Sequence, residues 1–262
     1  PFSGGSGTEA DPYQISTAYD LHVFSELVAD SDTTTGKHYA QAHYIQTTDI
    51  DLKSVSFIPI GTHPGIGFSG CYNGNYCDIS NLYIEVTGGY IGLFGWVSGG
   101  SIKNLSVYGD VTSKEREGKV TLIGGIAGEI CDEASISNCS FMGTVTTDGT
   151  IAGGVAGQIA RSGSISHSFF NGNVSAANGV GGVVGYVNDI NTAGKMEIVS
   201  CYAAGKVIDT VDEVMVGGIT SNFATQNAET TITTKKNYYL STACDGAVNG
   251  GTYEGCSKLS GD

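Results

Sequence analysis

Proline, basic residues and long apolar runs are all scarce in this 262-residue chain. Only 4 prolines occur, which excludes collagen-like sequence and proline-rich linkers. No apolar stretch reaches the roughly 18 residues that a membrane-spanning helix needs, so we expect no membrane insertion. The 12 Lys and Arg residues are scattered among 26 Asp and Glu residues. Because nucleic-acid binding requires a basic stripe, we expect no nucleic-acid partner.

The sequence signatures of common catalytic and cofactor sites are missing as well. None of the five histidines shows the HExxH spacing of a zinc protease. No GxSxG motif or Walker loop occurs. A dinucleotide fingerprint needs a helix after its glycines, and no helix pattern follows the Gly-rich segments. These absences predict a non-catalytic protein with no catalytic residues, no metal and no other cofactor.

The seven cysteines form an odd-numbered set. Cys71 and Cys77 symmetrically flank a five-residue segment, so a hairpin turn within residues 68–86 could bring them opposite each other as a disulfide. Cys244 and Cys256 bracket a Gly-rich tail and form a second possible pair. Either bond would be compatible with an exported protein.

Glycine and internal repetition are abundant. The chain has 40 glycines, about twice the usual share. Four segments share an apolar Gly-rich run, a turn and a strand that ends in Gly-x-Val, and a fifth, degenerate copy follows. The four are IGLFG (91–95) with SIKNLSVYGDV (101–111), IGGIAG (123–128) with SISNCSFMGTV (135–145), AGGVAG (152–157) with SISHSFFNGNV (164–174), and VGGVVG (180–185) with EIVSCYAAGKV (197–207). The fifth runs from VGGIT (216–220) to NYYL (237–240).

Repeats this short cannot bury a core alone, so they must stack on one another. Their segments are rich in β-branched and aromatic residues that alternate with a period of two, which indicates strands. We therefore predict an all-β fold, a right-handed parallel β-helix (β-solenoid) of about five coils. Residues 1–87 would form an N-terminal cap, and residues 88–262 the repeats and a C-terminal tail, as one continuous domain.

The N-terminal region has a different pattern. Thr17 and Asp20 are placed as a capping box before an apolar helical periodicity, which predicts a helix over residues 18–29. We expect this helix to cover the open edge of the first coil, which would otherwise recruit other strands. Residues 38–52 are predicted to contain a strand, and residues 68–86 a hairpin that leads into the first coil.

Stacking in register converts the repeats into columns of residues. Two mostly apolar columns are predicted to face the interior, namely Leu105, Cys139, Ser168, Cys201, Tyr238 and Val107, Phe141, Phe170, Ala203, Leu240. Cys139 and Cys201 would then be buried free thiols, because two coils separate them by about 9–10 Å, beyond disulfide reach. The column between these two is predicted to point outward and consists of Ser106, Ser140, Phe169, Tyr202 and Tyr239.

Three members of the outward column, Phe169, Tyr202 and Tyr239, would form an exposed aromatic ladder and are the predicted binding residues. Such a strip can stack on sugar rings. The same side chains can instead be cross-strand packing pairs that support the sheet. The sequence leaves both interpretations open.

Acidic residues do not repeat in register as a stacked catalytic site would require. The positions before the repeated valine are Asp110, Thr144, Asn173 and Lys206, and those after the glycine pairs are Glu129, Gln158 and Tyr186. Two acidic clusters, Glu129 with Asp132 and Glu133, and Asp209 with Asp212 and Glu213, are predicted to lie in loops. Solvated surface acids and a calcium site are the alternatives there. Asp49 and Asp51 lie two apart at a strand end and could face the same side, and a structural role in the turn is the simpler of the two interpretations.

The repeats resemble the GLUG motif of bacterial surface proteins. The matching residues are GLFG (92–95), GIAG (125–128), GVAG (154–157) and GVVG (182–185). The N-terminal part resembles the segment that often precedes such repeats, in GTEADPYQIST (7–17), DIDL (49–52), IPIGT (58–62) and FSGCYNGNYCDISNLYI (68–84). The two cysteines in the last of these and the weak fifth repeat depart from the pattern. The resemblance implies adhesion or display, as in filamentous-haemagglutinin-type proteins, and the motif also occurs beside protease domains.

These observations together predict an adhesin-like module, secreted or on a bacterial cell surface, that presents a rigid face. Its partner would be a host or matrix glycan or glycoprotein, and it would act as a monomeric module of a larger chain. One alternative is a carbohydrate-active β-helix enzyme, either a polysaccharide lyase or a glycoside hydrolase. The other is a structural spacer within a larger surface protein.

Overall fold

The chain is a parallel β-helix of about six turns, which confirms the predicted fold class. A computed structural model describes residues 2–30, 33–62, 66–115, 118–189, 193–210, 215–224, 226–240, 246–248 and 254–260. The strands form three parallel sheets, one of 14 strands and two of five. The additional turn is contributed by residues that the sequence assigned to the cap, because the long strand after residue 70 already stacks on the first repeat.

Two helices lie near the N-terminus, α1 (Ala18–Val28) and α2 (Thr33–Ala40). The strands of the first half are β1 (Tyr13–Ile15), β2 (His43–Gln46), β3 (Ile50–Asp51), β4 (Cys71–Thr87), β5 (Gly89–Ile91), β6 (Phe94–Ser98), β7 (Ser101–Lys114), β8 (Thr121–Gly124) and β9 (Ala127–Cys131). Those that follow are β10 (Ala134–Thr147), β11 (Ile151–Gly153), β12 (Ala156–Ala160), β13 (Gly163–Ser166), β14 (Phe169–Ala176), β15 (Gly179–Gly181), β16 (Val184–Asn188) and β17 (Lys195–Val199). The last are β18 (Tyr202–Ala203), β19 (Lys206–Asp209), β20 (Met215–Gly217), β21 (Phe223–Ala224), β22 (Thr231–Lys235), β23 (Asn237–Leu240) and β24 (Cys256–Leu259).

Each complete coil passes through the three sheets in the same order. In the coil that starts at β10, the long strand belongs to the 14-stranded sheet, and β11 and β12 belong to the two five-stranded sheets. The repeats stack in register, since β10 pairs with β7 from Ser135 beside Ser101 to Thr147 beside Ser113. The shorter sheets stack as β5, β8, β11, β15, β20 and as β6, β9, β12, β16, β21. Each sequence repeat therefore corresponds to one coil.

The glycines of the repeats lie at the turns between the two five-stranded sheets and at the start of the strand that follows each turn, where backbone and side chains approach too closely for any Cβ. A Cβ on Gly125 would collide with the ring of Phe141, and one on Gly128 would collide with the backbone nitrogen of Ile91. Glycine is the residue that permits such an approach. The Gly-x-x-Gly spacing is thus explained by packing between the sheets.

The long strands of the large sheet bend at one residue per coil, and this residue adopts the left-handed conformation. The residues are Asn104, Asn138, His167, Ser200 and Lys236, with φ between 49° and 57°. Asparagine tolerates this conformation well. The side chains also form a ladder, because Asn138 Nδ2 donates to Asn104 Oδ1 at 3.1 Å and Asn104 Nδ2 donates to Asn73 Oδ1 at 3.0 Å. This corner column borders the segment that carries the predicted aromatic ladder.

The interior is filled by the apolar columns that the repeats predict. Phe141 and Phe170 stack on adjacent coils with ring centroids 6.4 Å apart, and both are fully buried. A neighbouring isoleucine column consists of Ile102, Ile136, Ile165 and Ile198. Such side chains each bury enough apolar surface to contribute about 1.5–3 kcal/mol.

The N-terminal helix is confirmed, and a second helix was missed. Thr17 caps α1 by accepting from the Asp20 N–H at 3.0 Å, and the Asp20 carboxylate accepts from the Thr17 N–H at 3.0 Å. Phe24 of α1 stacks on Tyr44 at 3.9 Å, which attaches the helix to the first coils. The predicted strand over residues 38–52 is correct only in part, because α2 extends to Ala40. No helix in the described ranges is both long and apolar enough to cross a bilayer.

The predicted hairpin within residues 68–86 is wrong. β4 is one strand that pairs in parallel with β7, with register shifts between Asn73 and Cys77 and between Ile79 and Leu82. Asn75 and Tyr76 both have positive φ, at 54° and 62°. These two residues therefore make a bulged corner in a continuing strand, where the Asn-Gly-Asn sequence suggested a chain reversal.

Candidate functional site

An aromatic ladder crosses three consecutive coils of the large sheet, on its outer face. Phe169 of β14 is the register partner of Tyr202 of β18, which is the partner of Tyr238 of β23. Phe169 is 37% exposed and Tyr238 39% exposed, and Tyr202 is half-buried. Parallel strands place successive rungs about 4.8 Å apart. We call Phe169, Tyr202 and Tyr238 the aromatic ladder.

The prediction of Tyr239 as the third rung is wrong, because the register of the last coil differs by one residue from the predicted register. Tyr239 pairs with Ala203 of the interior column and is only 3% exposed. Asn237 takes the interior position that Tyr238 was expected to fill. Its Oδ1 accepts from the Cys201 N–H at 2.9 Å, and its Nδ2 donates to the Ile198 carbonyl at 2.6 Å. A buried amide with both ends satisfied is stable there, and apolar alignment alone could not anticipate this.

The rungs of the ladder do not pack on one another as the interior rings do. Within the described part of the chain, no ring contact joins Phe169, Tyr202 and Tyr238, whereas Phe141 and Phe170 stack inside the coil. Cross-strand ring packing therefore does not account for the exposed aromatics. Phe169 and Tyr238 therefore keep more than a third of their surface open to solvent.

A parallel column beside the ladder is partly apolar too. Tyr108 is the partner of Met142, and Leu240 is the partner of Leu259. Tyr108 is 37% exposed, close to the value for Phe169, but it lies at the opposite end of the face. Burial raises the pKa of the Tyr108 phenol, and the carboxylates of Asp78 and Asp49 raise it further. This end of the face is therefore acidic.

A buried polar cluster lies on the adjacent five-stranded sheet. Glu129 belongs to β9 and is 5% exposed, so its predicted location in a solvated loop is wrong. Burial raises the pKa of Glu129 to about 7, while the nearby guanidinium of Arg161 opposes this shift. Trp96 Nε1 and Arg161 Nη2 each donate to the Sγ of Cys131 at 3.1 Å. Cys131, which had no evident partner in the sequence, is thus held within this cluster.

Asp132 and Glu133 do lie in a turn, next to this cluster. Arg161 donates to both carboxylate oxygens of Asp132, at 2.9 Å and 3.0 Å, and holds the pKa of Asp132 at about 2. Ser98 of the preceding coil donates to the same carboxylate at 2.6 Å. This network joins three successive coils. In the second acidic cluster, Asp212, Glu213 and the side chain of Asp209 lie outside the described residues.

Asp49 and Asp51 have the structural role that the sequence suggested. Asp49 Oδ1 accepts from the backbone N–H of Asp78 at 2.9 Å. Asp51 Oδ1 accepts from the Lys53 N–H and from Asn81 Nδ2, both at 2.8 Å. Among the described residues, no group of three or more His, Cys, Asp and Glu side chains is placed to hold a metal ion.

The cysteines divide into exposed and buried thiols. Cys71 and Cys77 are half-exposed free thiols, so the first predicted disulfide does not form in this structure. Cys139 and Cys201 are free and 2% and 0% exposed, which confirms their predicted burial. In the second predicted pair, Cys256 is a half-buried free thiol and Cys244 lies outside the described residues.

No family model matches the chain. Two curated proteins share sequence with about half of it. A candidate Gly-rich membrane protein of Evansella cellulosilytica is 33% identical over 141 residues, which are 52% of this chain and 15% of that protein. Halomucin of Haloquadratum walsbyi is 30% identical over 156 residues, which are 56% of this chain and 2% of that protein. The chain therefore matches only a small part of either relative.

A solved structure shares the whole fold. The crystal structure of a candidate immunoglobulin A1 protease from Bacteroides ovatus superposes with a TM-score of 0.66. The likeness covers 100% of this chain and 87% of that chain, at 19% sequence identity. At this identity it shows the fold alone.

Proposed function

We propose that this chain is a non-catalytic, adhesin-like module that binds carbohydrate through the aromatic ladder. The observation that carries the proposal is the alignment of three outward-facing aromatic side chains on consecutive coils, of which Phe169 and Tyr238 are exposed and Tyr202 is half-buried. Aromatic rings bury a large apolar area, and tyrosine adds a hydroxyl group at the edge. A pyranose ring matches this surface, since it has an apolar C–H face and a polar rim.

The rigidity of the support favours binding. The rungs lie on strands that are hydrogen-bonded to neighbours on both sides, as β18 is to β14 and β23. Ordering of loops and side chains opposes association, at about 0.5–1.5 kcal/mol for each flexible side chain that is immobilised. Short aromatic side chains on a preformed sheet keep this cost low.

The location that we propose is extracellular, at a bacterial cell surface, within a larger protein. The relatives support an envelope location by their names, a candidate membrane protein and a halomucin. The small share of each relative that the chain matches supports the role of a module. The repeated position of the Gly-x-x-Gly segments in four consecutive coils supports the proposed GLUG character.

The absence of catalysis is also part of the proposal. It is supported by the contacts of the acidic residues, since Glu129 is buried and Asp132 is paired with Arg161. Asp49 and Asp51 accept hydrogen bonds from turn residues. The likeness to the candidate protease concerns the fold and brings no proteolytic function to this chain.

The test is saturable binding of the purified chain to immobilised matrix and mucin-type glycans. We expect the double variant Phe169→Ala/Tyr238→Ala to lose at least about tenfold in affinity, or about 1.4 kcal/mol. Tyr108→Ala is the matched control, because it removes an equally exposed ring from the acidic end of the same face.

Three other outcomes would contradict the proposal. Wild-type affinity in the double variant would place the site elsewhere. No binding to any glycan would favour a structural spacer. Release of new reducing ends from a polysaccharide would favour the carbohydrate-active enzyme.

A further inference from the structure

Three lysines border the aromatic ladder, in a chain that has only 12 Lys and Arg residues. Lys236 occupies the left-handed corner of the last ladder coil, two residues before Tyr238, and is exposed. Lys235 precedes it and is exposed as well. Lys206 follows Tyr202 in the preceding coil, directly after Gly205, and is also exposed. The lysines thus flank the ladder on both sides.

Register places these cations on the outer surface. Lys206 is the partner of Asn173 on β14, and both are exposed. Lys235 is the partner of Val199, which belongs to the column that contains Lys103 four coils before Lys235. At about 4.8 Å per coil, Lys103 and Lys235 are roughly 19 Å apart on the same column. Lys103 is therefore a lysine in an equivalent position but distant from the ladder.

Within the described ranges, none of the three lysines forms an ion pair with a carboxylate. The ion pairs that occur in the described ranges are Arg161 with Asp132, and Lys195 with Glu197. The side chains of Lys206, Lys235 and Lys236 form neither. Exposed ammonium groups on flexible stems can move to meet a bound anion.

The other end of the same face has the opposite charge. Asp78 lies in the ladder's own column, as the partner of Ser106, and is three coils before the first ring. Asp110 lies in the column of Lys206 and is exposed. The face is thus acidic in its N-terminal coils and basic around the ladder. An anionic ligand would be repelled from the first end and attracted to the second.

We infer that the ligand of the aromatic ladder is an acidic polysaccharide, whose sugar rings stack on Phe169, Tyr202 and Tyr238 while its anionic groups pair with the three lysines. This inference rests on the proposed carbohydrate-binding function and specifies its ligand class. Ammonium groups form charge-assisted hydrogen bonds with carboxylate and sulfate oxygens. The shared chemistry is an anionic group repeated along a sugar chain, and the source of the anion is left to the test.

The experiment measures binding by calorimetry to three acidic polysaccharides, each beside its neutral counterpart. The pairs are a polyuronate and its methyl ester, a sialylated glycan and its desialylated form, and a sulfated glycan and its desulfated form. We expect at least one acidic member to bind about tenfold or more tightly than its counterpart. Added salt should weaken this binding, because the lysines are exposed and their field is screened.

The charge-removing variant is Lys206→Gln/Lys235→Gln/Lys236→Gln, with Lys103→Gln as the matched control. The triple variant should lose the preference for the acidic member and keep any affinity for the neutral one. Lys103→Gln should retain the wild-type preference. All the substitutions are on exposed or half-exposed side chains, and a thermal unfolding curve verifies that each variant is folded.

The outcomes separate this inference from the proposed function. If neutral and acidic members bind equally and Phe169→Ala/Tyr238→Ala abolishes both, the charge inference is overturned and the carbohydrate-binding function stands. If the triple variant keeps the acidic preference, the lysines are not the cause and the inference is overturned. If no member binds, both proposals are overturned.

Discussion

Asn237 accepts a hydrogen bond from the backbone N–H of Cys201 on the preceding coil, at 2.9 Å, in a fully buried position. Two coils earlier in the same column, Ser168 Oγ accepts from the Cys139 N–H at 3.2 Å. Polar side chains thus substitute for missing ladder bonds next to the corner of the long strands. This arrangement fixes which tyrosine of the last coil faces outward.

Replacing Asn237 by leucine should destabilise the protein by about 1–3 kcal/mol, because the buried Cys201 N–H and Ile198 carbonyl lose their partner. The free energy of unfolding from urea titration measures this change. Asn171→Ala is the control, since Asn171 is exposed on the outer face and should change stability by about 0.5 kcal/mol or less. Equal stability of the Asn237 variant and the wild type would contradict the assigned register.

Alanine variants of Phe141 and Phe169 test whether the column of Phe141 faces the interior and the column of Phe169 faces outward. Phe141 is fully buried and stacked on Phe170, so Phe141→Ala should cost about 3–5 kcal/mol. Phe169 is 37% exposed, so Phe169→Ala should cost about 1 kcal/mol or less. Unfolding curves of the two variants measure the difference. Similar losses of stability would mean that the ring of Phe169 is part of the core.

The wrong prediction for Tyr239 shows where alignment of the coils by hydrophobicity fails. Alternation of apolar and polar residues correctly predicted the interior columns through Ala203, where each coil begins with a recognisable repeat. In the last coil the interior position is held by Asn237, whose polarity looks unsuitable until its two hydrogen bonds are seen. Alignment of the last coil by hydrophobicity therefore assigned Tyr239 to the outward column, although Tyr238 occupies it.

Two other differences between the predicted and the observed structure also arise from long-range contacts. The Asn-Gly-Asn segment before Cys77 has the composition of a hairpin turn, but stacking on β7 keeps β4 parallel, with Asn75 and Tyr76 in a bulged corner. Glu129 follows a glycine turn, which suggested a loop, yet it lies in β9 beside Trp96 and Gln158 of the adjacent coils. The grouping of Lys206 with Lys236 was likewise invisible before the coils were stacked.

The buried carboxyl of Glu129 predicts a dependence of stability on pH. Its pKa is raised from 4.5 to about 7 in the folded chain, chiefly by burial. Between these values the folded chain binds more protons than the unfolded chain, so the free energy of unfolding falls as pH rises from about 4.5 to about 7.

Glu129→Gln removes this dependence and should gain stability relative to the wild type across the same interval, on the order of 3 kcal/mol in total. Urea titrations at a series of pH values measure the difference. Glu133→Gln, which changes an exposed carboxylate in the adjacent turn, should keep the wild-type profile. Parallel profiles for wild type and Glu129→Gln would contradict the assigned burial.

The cysteines should label in an order set by their burial. Cys71 and Cys77 are half-exposed and should react with iodoacetamide in the native protein. Cys139 and Cys201 are almost fully buried, and burial raises the pKa of each thiol to about 12, so they should react only after unfolding. Mass spectrometry of a labelling time course measures the extent of alkylation at each cysteine. A native disulfide between Cys71 and Cys77 would remove both from the labelled set and contradict this order.

Contact between sugar and the aromatic ladder is the central claim, and fluorine NMR tests it most directly. A fluorinated tyrosine is placed at position 238 in one sample and at position 108 in another, and each sample is titrated with a binding polysaccharide. We predict that the resonance at Tyr238 shifts saturably while the one at Tyr108 stays in place, because only the first belongs to the ladder. Binding that leaves the Tyr238 resonance unchanged would contradict the account.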